Sequence, residues 1–409
     1  AIQAGGSYTA GINAIRNPAN ASFNADADGY RNQNLSGQLA REFGAGREVG
    51  LKLLYSDGRT RFDSIPATSD FRTYSTLNAF SLYGRTQLGD RIKSQLTLGT
   101  TSDDSTNYVS ATSQSSIRTV QDQVVWQNDV TLPVGTLMAS LETVRQRVGG
   151  TTTYATTRRD IDSVVLGYQA SMGRHHLQLS DRDDRYDQFG GQNTHYAGYG
   201  FDLTRSLRVT AGTGTAFKAP SFNQLYFPGF GNPALLPETA RNDEAGVQYG
   251  GGPVQFGVVH FRNQVANLIV NAGTPLRPVN VGQARITGTT FSASTRVAET
   301  DVAASLTNQD PRDAVTGSLL PRRARQFGSV NASRSVGPGR VGVELYAADA
   351  RYEDAANTRR MGGYGLVNAY YEAPIARAWT AYLRADNLGD RVYETVRDFN
   401  VPGRTLFVG

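Results

Sequence analysis

Apolar and polar residues alternate along most of this chain. From Ser206 to Phe217, the residues Leu207, Val209, Ala211, Thr213, Thr215 and Phe217 fall on one side, and Ser206, Arg208 and Thr210 on the other. That is the period of a β-strand with one polar face. From Glu48 to Asp57 the same spacing sets Val49, Leu51, Leu53 and Tyr55 against Glu48, Lys52 and Ser56. Asn34 to Phe43 reads as its partner across the glycine turn 44–47, and together they predict a hairpin. Hairpins are likewise expected from Ala79–Leu88 with Arg91–Thr101, Val124–Leu132 with Thr136–Arg145, Ile161–Ser171 with His175–Arg182, and Tyr196–Leu203 with Leu207–Phe217. Further strands follow at Glu244–Tyr249, Val254–Asn263, Ala284–Val297, Val302–Asn308, Arg325–Arg334, Arg340–Tyr352, Gly363–Tyr371, Trp379–Asn387 and Arg404–Gly409, after a first one at Ala1–Thr9.

The connections are as regular as the strands. Turns of a few residues alternate with long polar loops, and the strands number about 20, many longer than the roughly 5 to 6 residues usual in soluble sheets. Long strands with short turns at one end and long loops at the other predict an all-β fold, a transmembrane antiparallel β-barrel. Repeats of about 40 to 50 residues, which a propeller or sandwich array would show, are not visible.

Composition narrows the classes. The 409 residues carry no linker-like shift in composition, so one continuous domain over residues 1–409 is expected. Hydrophobic residues make up 39% and mean hydropathy is −0.40; no window approaches the ~18 consecutive apolar residues of a membrane helix. Membrane strands remain compatible with these values, because their apolar residues alternate with polar ones. Absence of cysteine excludes disulfides and thiolate metal sites. A net charge of +5, spread along the chain, gives no basic patch for nucleic acid. Inward charges such as Lys52, Arg85, Glu142 and Arg208 are what any barrel lumen carries. Neither a nucleophile elbow nor a metalloprotease helix is present, so an enzyme is not expected.

One stretch, Phe217 to Gly246, joins two strands through a loop stiffened by Pro220, Pro233 and Pro237. Phe217-Lys218-Ala219-Pro220, followed by Asn232, Pro233, Leu235, Pro237 and Glu238, resembles a segment of the TonB-dependent outer-membrane transporters. Three more segments resemble that family in the same order. They are Phe261-Arg262-Asn263 with Val265, Asn267, Leu268 and Ile269; Asn280 to Gly288; and Asn387-Leu388-Gly389-Asp390 with Tyr393, Glu394 and Pro402-Gly403-Arg404. The resemblance covers essentially the whole chain. It implies a barrel of 22 strands in a Gram-negative outer membrane, with lipid around it and a plug domain inside through which the TonB complex supplies energy. With about 20 strands visible, the expectation is that the plug and the first two strands are missing, that the last strand is truncated, and that the chain is mature, trimmed or a fragment.

Within the family, the likeness is nearest to its cobalamin transporters, which implies uptake of cobalamin or a related corrinoid. Early extracellular loops in that branch hold calcium, and the matching positions here are Asp26 and Asp28, with Asp57 and Asp70 in the next loop. Asp63 and Asn13 are further candidates, while Asp103 and Asp104 are expected to face solvent. Calcium takes about 6 to 8 oxygen ligands, so aspartates two apart before a glycine contribute only part of a site. Ligand contact on the proline loop is assigned to Phe222, Tyr226 or Phe230, expected at an exposed apolar tip. The competing readings are a siderophore receptor of the same architecture and a passive porin.

Overall fold

The computed structural model describes residues 2–44, 46–110, 113–377 and 379–409. Ala1, where the first expected strand begins, and Ala45, in the first expected turn, lie outside the described residues. Among the described residues there are 22 strands; twenty of them form one sheet, and Arg351–Tyr352 pairs with Arg360–Met361 in a small ribbon apart from it. The one helix in the element order is Phe222–Tyr226, inside the proline loop. The chain divides into two compact units, Ala1–Ala197 with Gly214–Ala240 and Asn267–Val281, and Gly198–Thr213 with Arg241–Ala266 and Gly282–Gly409.

In the first unit, successive strands pair antiparallel with neighbours in sequence, from Ile2–Ile12 with Asp28–Glu42 onward to Arg158–Met172 with His175–Tyr186. Several strands outrun the alternation that predicts them. Ala79–Leu88 becomes Arg72–Leu88, and Arg91–Thr101 becomes Ile92–Tyr108. In the added rungs, such as Ser75 opposite Ser105 and Thr76 opposite Asp104, which lie on opposite faces, both faces are polar. The period-two signal vanishes there although the ladder continues. Tight turns hold the other ends. Gly135 has φ of 79°, and a Cβ on it would sit 2.3 Å from the Gln169 carbonyl oxygen, so the 133–135 turn needs glycine.

The two faces of this sheet differ sharply. One ladder row runs Val49, Gly84, Leu96, Trp126, Leu141, Val164, and its large side chains are each about half exposed. On the opposite face Arg182 donates to Glu142 (2.8 Å), Asp184 (2.7 Å) and Ser163 (2.9 Å). Several strands away on that face, Glu48 accepts from Tyr83 (2.7 Å) and Arg85 (2.8 Å). The largest fully buried side chains, Ile15, Leu225, Met361, Pro220, Pro278 and Pro311, lie in or next to the long connections, none of them mid-sheet. A sheet that exposes its leucines and packs its core in its loops is arranged for hydrocarbon on its apolar face.

The second unit repeats the pattern. Ala304, Val330, Leu345 and Val367 form an apolar row. Its opposite face carries Ser305, Ser329, Tyr346 and the Glu344–Asn368 hydrogen bond of 3.1 Å. The expected strand Arg340–Tyr352 is broken, ending at Ala348, with Arg351–Tyr352 turning into the small ribbon. The last strand is Thr405–Val408, paired with Trp379–Asp386.

Candidate functional site

Two adjacent long connections, 13–27 and 62–71, meet at one end of the first unit. The register Ile12 to Asp28 and Tyr30 to Thr60 brings the closing end of the first beside the opening end of the second. Ile15, 2% exposed, anchors the first connection. Phe62 and Phe71 pack at the base of the second, with ring centroids 5.7 Å apart. Asn13 shapes the first connection, donating to the Asn24 carbonyl at 2.5 Å and accepting from the Ile15 amide at 2.9 Å.

This scaffold gathers three carboxylates. Ligand atoms of Asp26, Asp28 and Asp63 lie within 4.8 Å of one another. One Asp28 oxygen accepts from the Ala14 amide at 2.8 Å. Asp63 accepts from the Ile15 and Asn24 amides, yet its Oδ2 is buried without a hydrogen-bond partner. Burial pushes the Asp63 carboxyl above its ordinary pKa; the two amides oppose that rise and the Asp26 charge adds to it. The trio therefore combines like charges, a buried acceptor left open and hard oxygen donors, which fits a divalent cation of the calcium type.

The other two sequence candidates sit elsewhere. Asp57 lies within the Glu48–Arg61 strand, opposite Gln33 and Thr76, and accepts from the Thr76 hydroxyl at 3.3 Å. Gln33 is five residues past Asp28, about 17 Å along an extended strand. Asp70 is held by Arg72 and lies 3.8 Å from Arg61. The carboxylate that lies with Asp26 and Asp28 is that of Asp63. Asp104 pairs with Arg118 at 3.3 Å.

The proline loop is packed down. Ser221 and Gln224 cap the five-residue helix reciprocally. Phe222 (7% exposed) and Leu225 (1%) are buried, and Phe222 joins Val148 and Tyr154 in a small core. Tyr154 donates to Asn223 at 2.5 Å, and its ring meets Phe227 edge-on at 6.2 Å. Arg159, itself 5% exposed, lies between the rings of Phe189 (5.3 Å) and Phe222 (5.0 Å). It donates to the Pro220 carbonyl at 2.8 Å and to Gln188 at 3.0 Å. The expectation of an exposed apolar tip is thus corrected at Phe222, which turns inward because the loop has its own hydrophobic core. Tyr226 and Phe230 are half-buried, and Phe227 is the exposed ring.

Beyond the helix, the segments that carried the family resemblance are tied together. Asn280 donates to the Leu236 carbonyl (2.9 Å) and the Asn267 carbonyl (2.7 Å) and accepts from the Leu236 amide (2.8 Å). Asn232 donates to the Pro278 carbonyl at 3.0 Å, and Glu238 accepts from the Ile269 amide and from Lys218, both at 2.8 Å. In the second unit, Asn387, 4% exposed, accepts from the Arg391 amide and donates to its carbonyl, while Asp390 accepts from the Arg404 amide. These residues hold loops in shape.

Residues 2–388 match the family described as "TonB dependent receptor-like, beta-barrel". The chain belongs to that family. Family membership makes the twenty-stranded sheet a TonB-dependent receptor barrel, and the family is one of transporters and receptors, not enzymes. The chain is 28% identical over 397 residues to a vitamin B12 transporter, BtuB, of Photobacterium profundum, and 29% identical over 402 residues to that of Vibrio vulnificus. Each alignment covers 94% of this chain and 65% or 64% of the relative, so the chain spans a little under two thirds of their length. Among solved structures, a siderophore receptor, PirA, of Acinetobacter baumannii superposes with a TM-score of 0.82 over 98% of this chain and 73% of that one. At 16% identity, that likeness concerns the fold alone.

Proposed function

We propose that this chain is the barrel of an outer-membrane transporter of a Gram-negative bacterium, taking up cobalamin or a related corrinoid with energy delivered by the TonB complex through a plug domain. The observation that carries the cargo assignment is the likeness, over 94% of the chain, to vitamin B12 transporters, joined to a carboxylate trio in the early loops. Asp26, Asp28 and Asp63 are the residues that would hold calcium, whose charge would offset their mutual repulsion. The chain's own part is to fix those carboxylates on two packed connections, with Ile15 and the Phe62–Phe71 pair as anchors. Outward from the trio, ordered loops offer ligand a defined surface; on the proline loop that surface is Phe227, Phe230 and Tyr226 rather than Phe222.

The test is binding of radiolabelled cobalamin to cells expressing the full-length protein, with and without calcium, and with a ferric siderophore as competitor. Saturable binding that calcium strengthens supports the proposal. Counts equal to those of empty-vector cells, or displacement by the siderophore alone, would refute it.

A further inference from the structure

On the polar face of the second unit, one ladder row holds Ser292, Ser305 and Ser329, the next Ser294, Ala303 and Asn331, and the one beyond it Arg296, Asp301 and Ser333. Apart from Arg296 and Asp301, no side chain in these rows is larger than that of asparagine. On the polar face of the first unit, by contrast, a row of Glu48, Arg85, Gln95 and Gln127 is built of long side chains. Where the small residues gather, close to the short turn that follows Val297, the wall of the second unit is hollowed. One hollow of about 620 Å³ lies among Arg208, Gln248, Gln255 and Ser292, and one of about 540 Å³ among Gln255, Asn331, Arg340 and Tyr370. They adjoin, sharing Gln255, Ser294 and Ala303. Each has the size of a small-molecule cleft, ~300–1,000 Å³.

Charge in the lining is close to balanced, with four arginines against three carboxylates. Arg208 donates to Asp202 at 2.6 and 3.1 Å. Arg340 donates to Asp301 at 2.9 Å and to Ser333 at 2.6 Å, and Arg296 lies 3.7 Å from Asp301. The other two, Arg205 and Glu372, are exposed and of opposite sign. Between them the hollows offer carboxamides at Gln248, Gln255 and Asn331 and hydroxyls at Ser292 and Ser294, groups that both donate and accept. Selectivity along a pore follows its width, its lining donors and acceptors, and its electrostatic barriers. A wide wall of neutral donors and acceptors, with its charges held in ion pairs, suits a large neutral solute rich in carboxamides, which is the chemistry of a corrinoid rim. It gives an anionic chelate no strongly basic lane to follow.

We propose that these hollows are the stretch of barrel wall along which the cargo passes, and that the first unit's polar face is not. The inference rests on the cobalamin reading and adds a route to it: Gln255, Ser294, Ala303 and Asn331 line the passage. It is tested in cells with the full-length protein, carrying single cysteines in an otherwise cysteine-free background. Ser294→Cys and Ala303→Cys mark the hollows, and Gln95→Cys and Gln127→Cys mark the first unit. Each is treated with a small or a bulky maleimide during cobalamin uptake, and surface binding, uptake and the labelled fraction are measured. The expected result is that the bulky reagent at Ser294→Cys or Ala303→Cys stops uptake while surface binding is unchanged. The small reagent should leave uptake running there, and neither reagent should change uptake at Gln95→Cys or Gln127→Cys. Equal loss at all four positions, uptake that continues with both hollow positions fully labelled, or no labelling of them during transport would overturn the proposal. Loss of surface binding together with uptake would also overturn it, since the hollows would then serve capture or folding. The unlabelled proteins report on the cargo separately: if they take up no cobalamin, that reading fails and this inference with it, whereas a bulky label without effect removes the route alone.

Discussion

Replacing Arg159 by methionine should release the proline loop while leaving the sheet intact. Methionine keeps an apolar stem of similar length but removes the hydrogen bonds to Pro220 and Gln188 and the contacts with Phe189 and Phe222. Hydrogen bonds from a charged donor contribute about 1.5–3 kcal/mol each, and ring contacts of a desolvated guanidinium about 2 kcal/mol each. Part of that sum is returned, since a guanidinium 5% exposed no longer has to be kept from water. The remainder is about 3 kcal/mol against loop docking, or roughly a hundredfold in the opening equilibrium. Hydrogen exchange of the amides in 222–236 reads this directly, while the heat-modifiable gel mobility of the barrel reports the sheet. Exchange in 222–236 that stays within about threefold of the parent would refute the clamp, because an opening free energy changed by 3 kcal/mol cannot leave local protection untouched.

Other consequences are as specific. Asp63→Asn should order the 13–27 and 62–71 connections in the absence of calcium and abolish their response to it, as read by hydrogen exchange with and without the ion. The sign for the parent follows from a raised pKa: above that pKa the charged Asp63 opposes loop order, and the opposition is relieved as pH falls through it, so metal-free loops should gain protection on mild acidification. Asn280→Ala orphans two carbonyls and one amide and should loosen 232–238 by about 2–4 kcal/mol, visible as proteolysis in that segment at a fixed protease dose. Asp354 is held at about 2 by the Arg359 amide and the Thr358 hydroxyl. Its depressed pKa means that its contribution to the 353–361 loop is complete above the ordinary carboxylate pKa and is lost as pH falls toward 2; loop protection followed down to pH 2 should persist below the pH at which an unperturbed carboxylate titrates.

How much of this was legible in the sequence depends on what each residue faces. Strand positions with one wet and one apolar face, such as Leu207–Phe217, were readable from spacing alone and recur as Leu207–Lys218. The outer rungs of Arg72–Leu88 and Ile92–Tyr108 were not, since both faces are polar and only the ladder defines them. Phe222 was misplaced because a loop with its own core has no periodicity to betray it. Asp63 was within reach as a secondary candidate, but its convergence on Asp26 and Asp28 is set by register between two strands, which local sequence does not encode. Asp57 looked equivalent by composition and is separated by about five residues of extended chain.

The central claim is tested most directly by uptake. Cells lacking any other cobalamin transporter and expressing the full-length protein should accumulate radiolabelled cobalamin against a gradient, and a protonophore or loss of TonB should stop accumulation while leaving surface binding intact. Accumulation that persists without TonB would contradict an energised transporter, and cells that take up a ferric siderophore but no cobalamin would contradict the cargo.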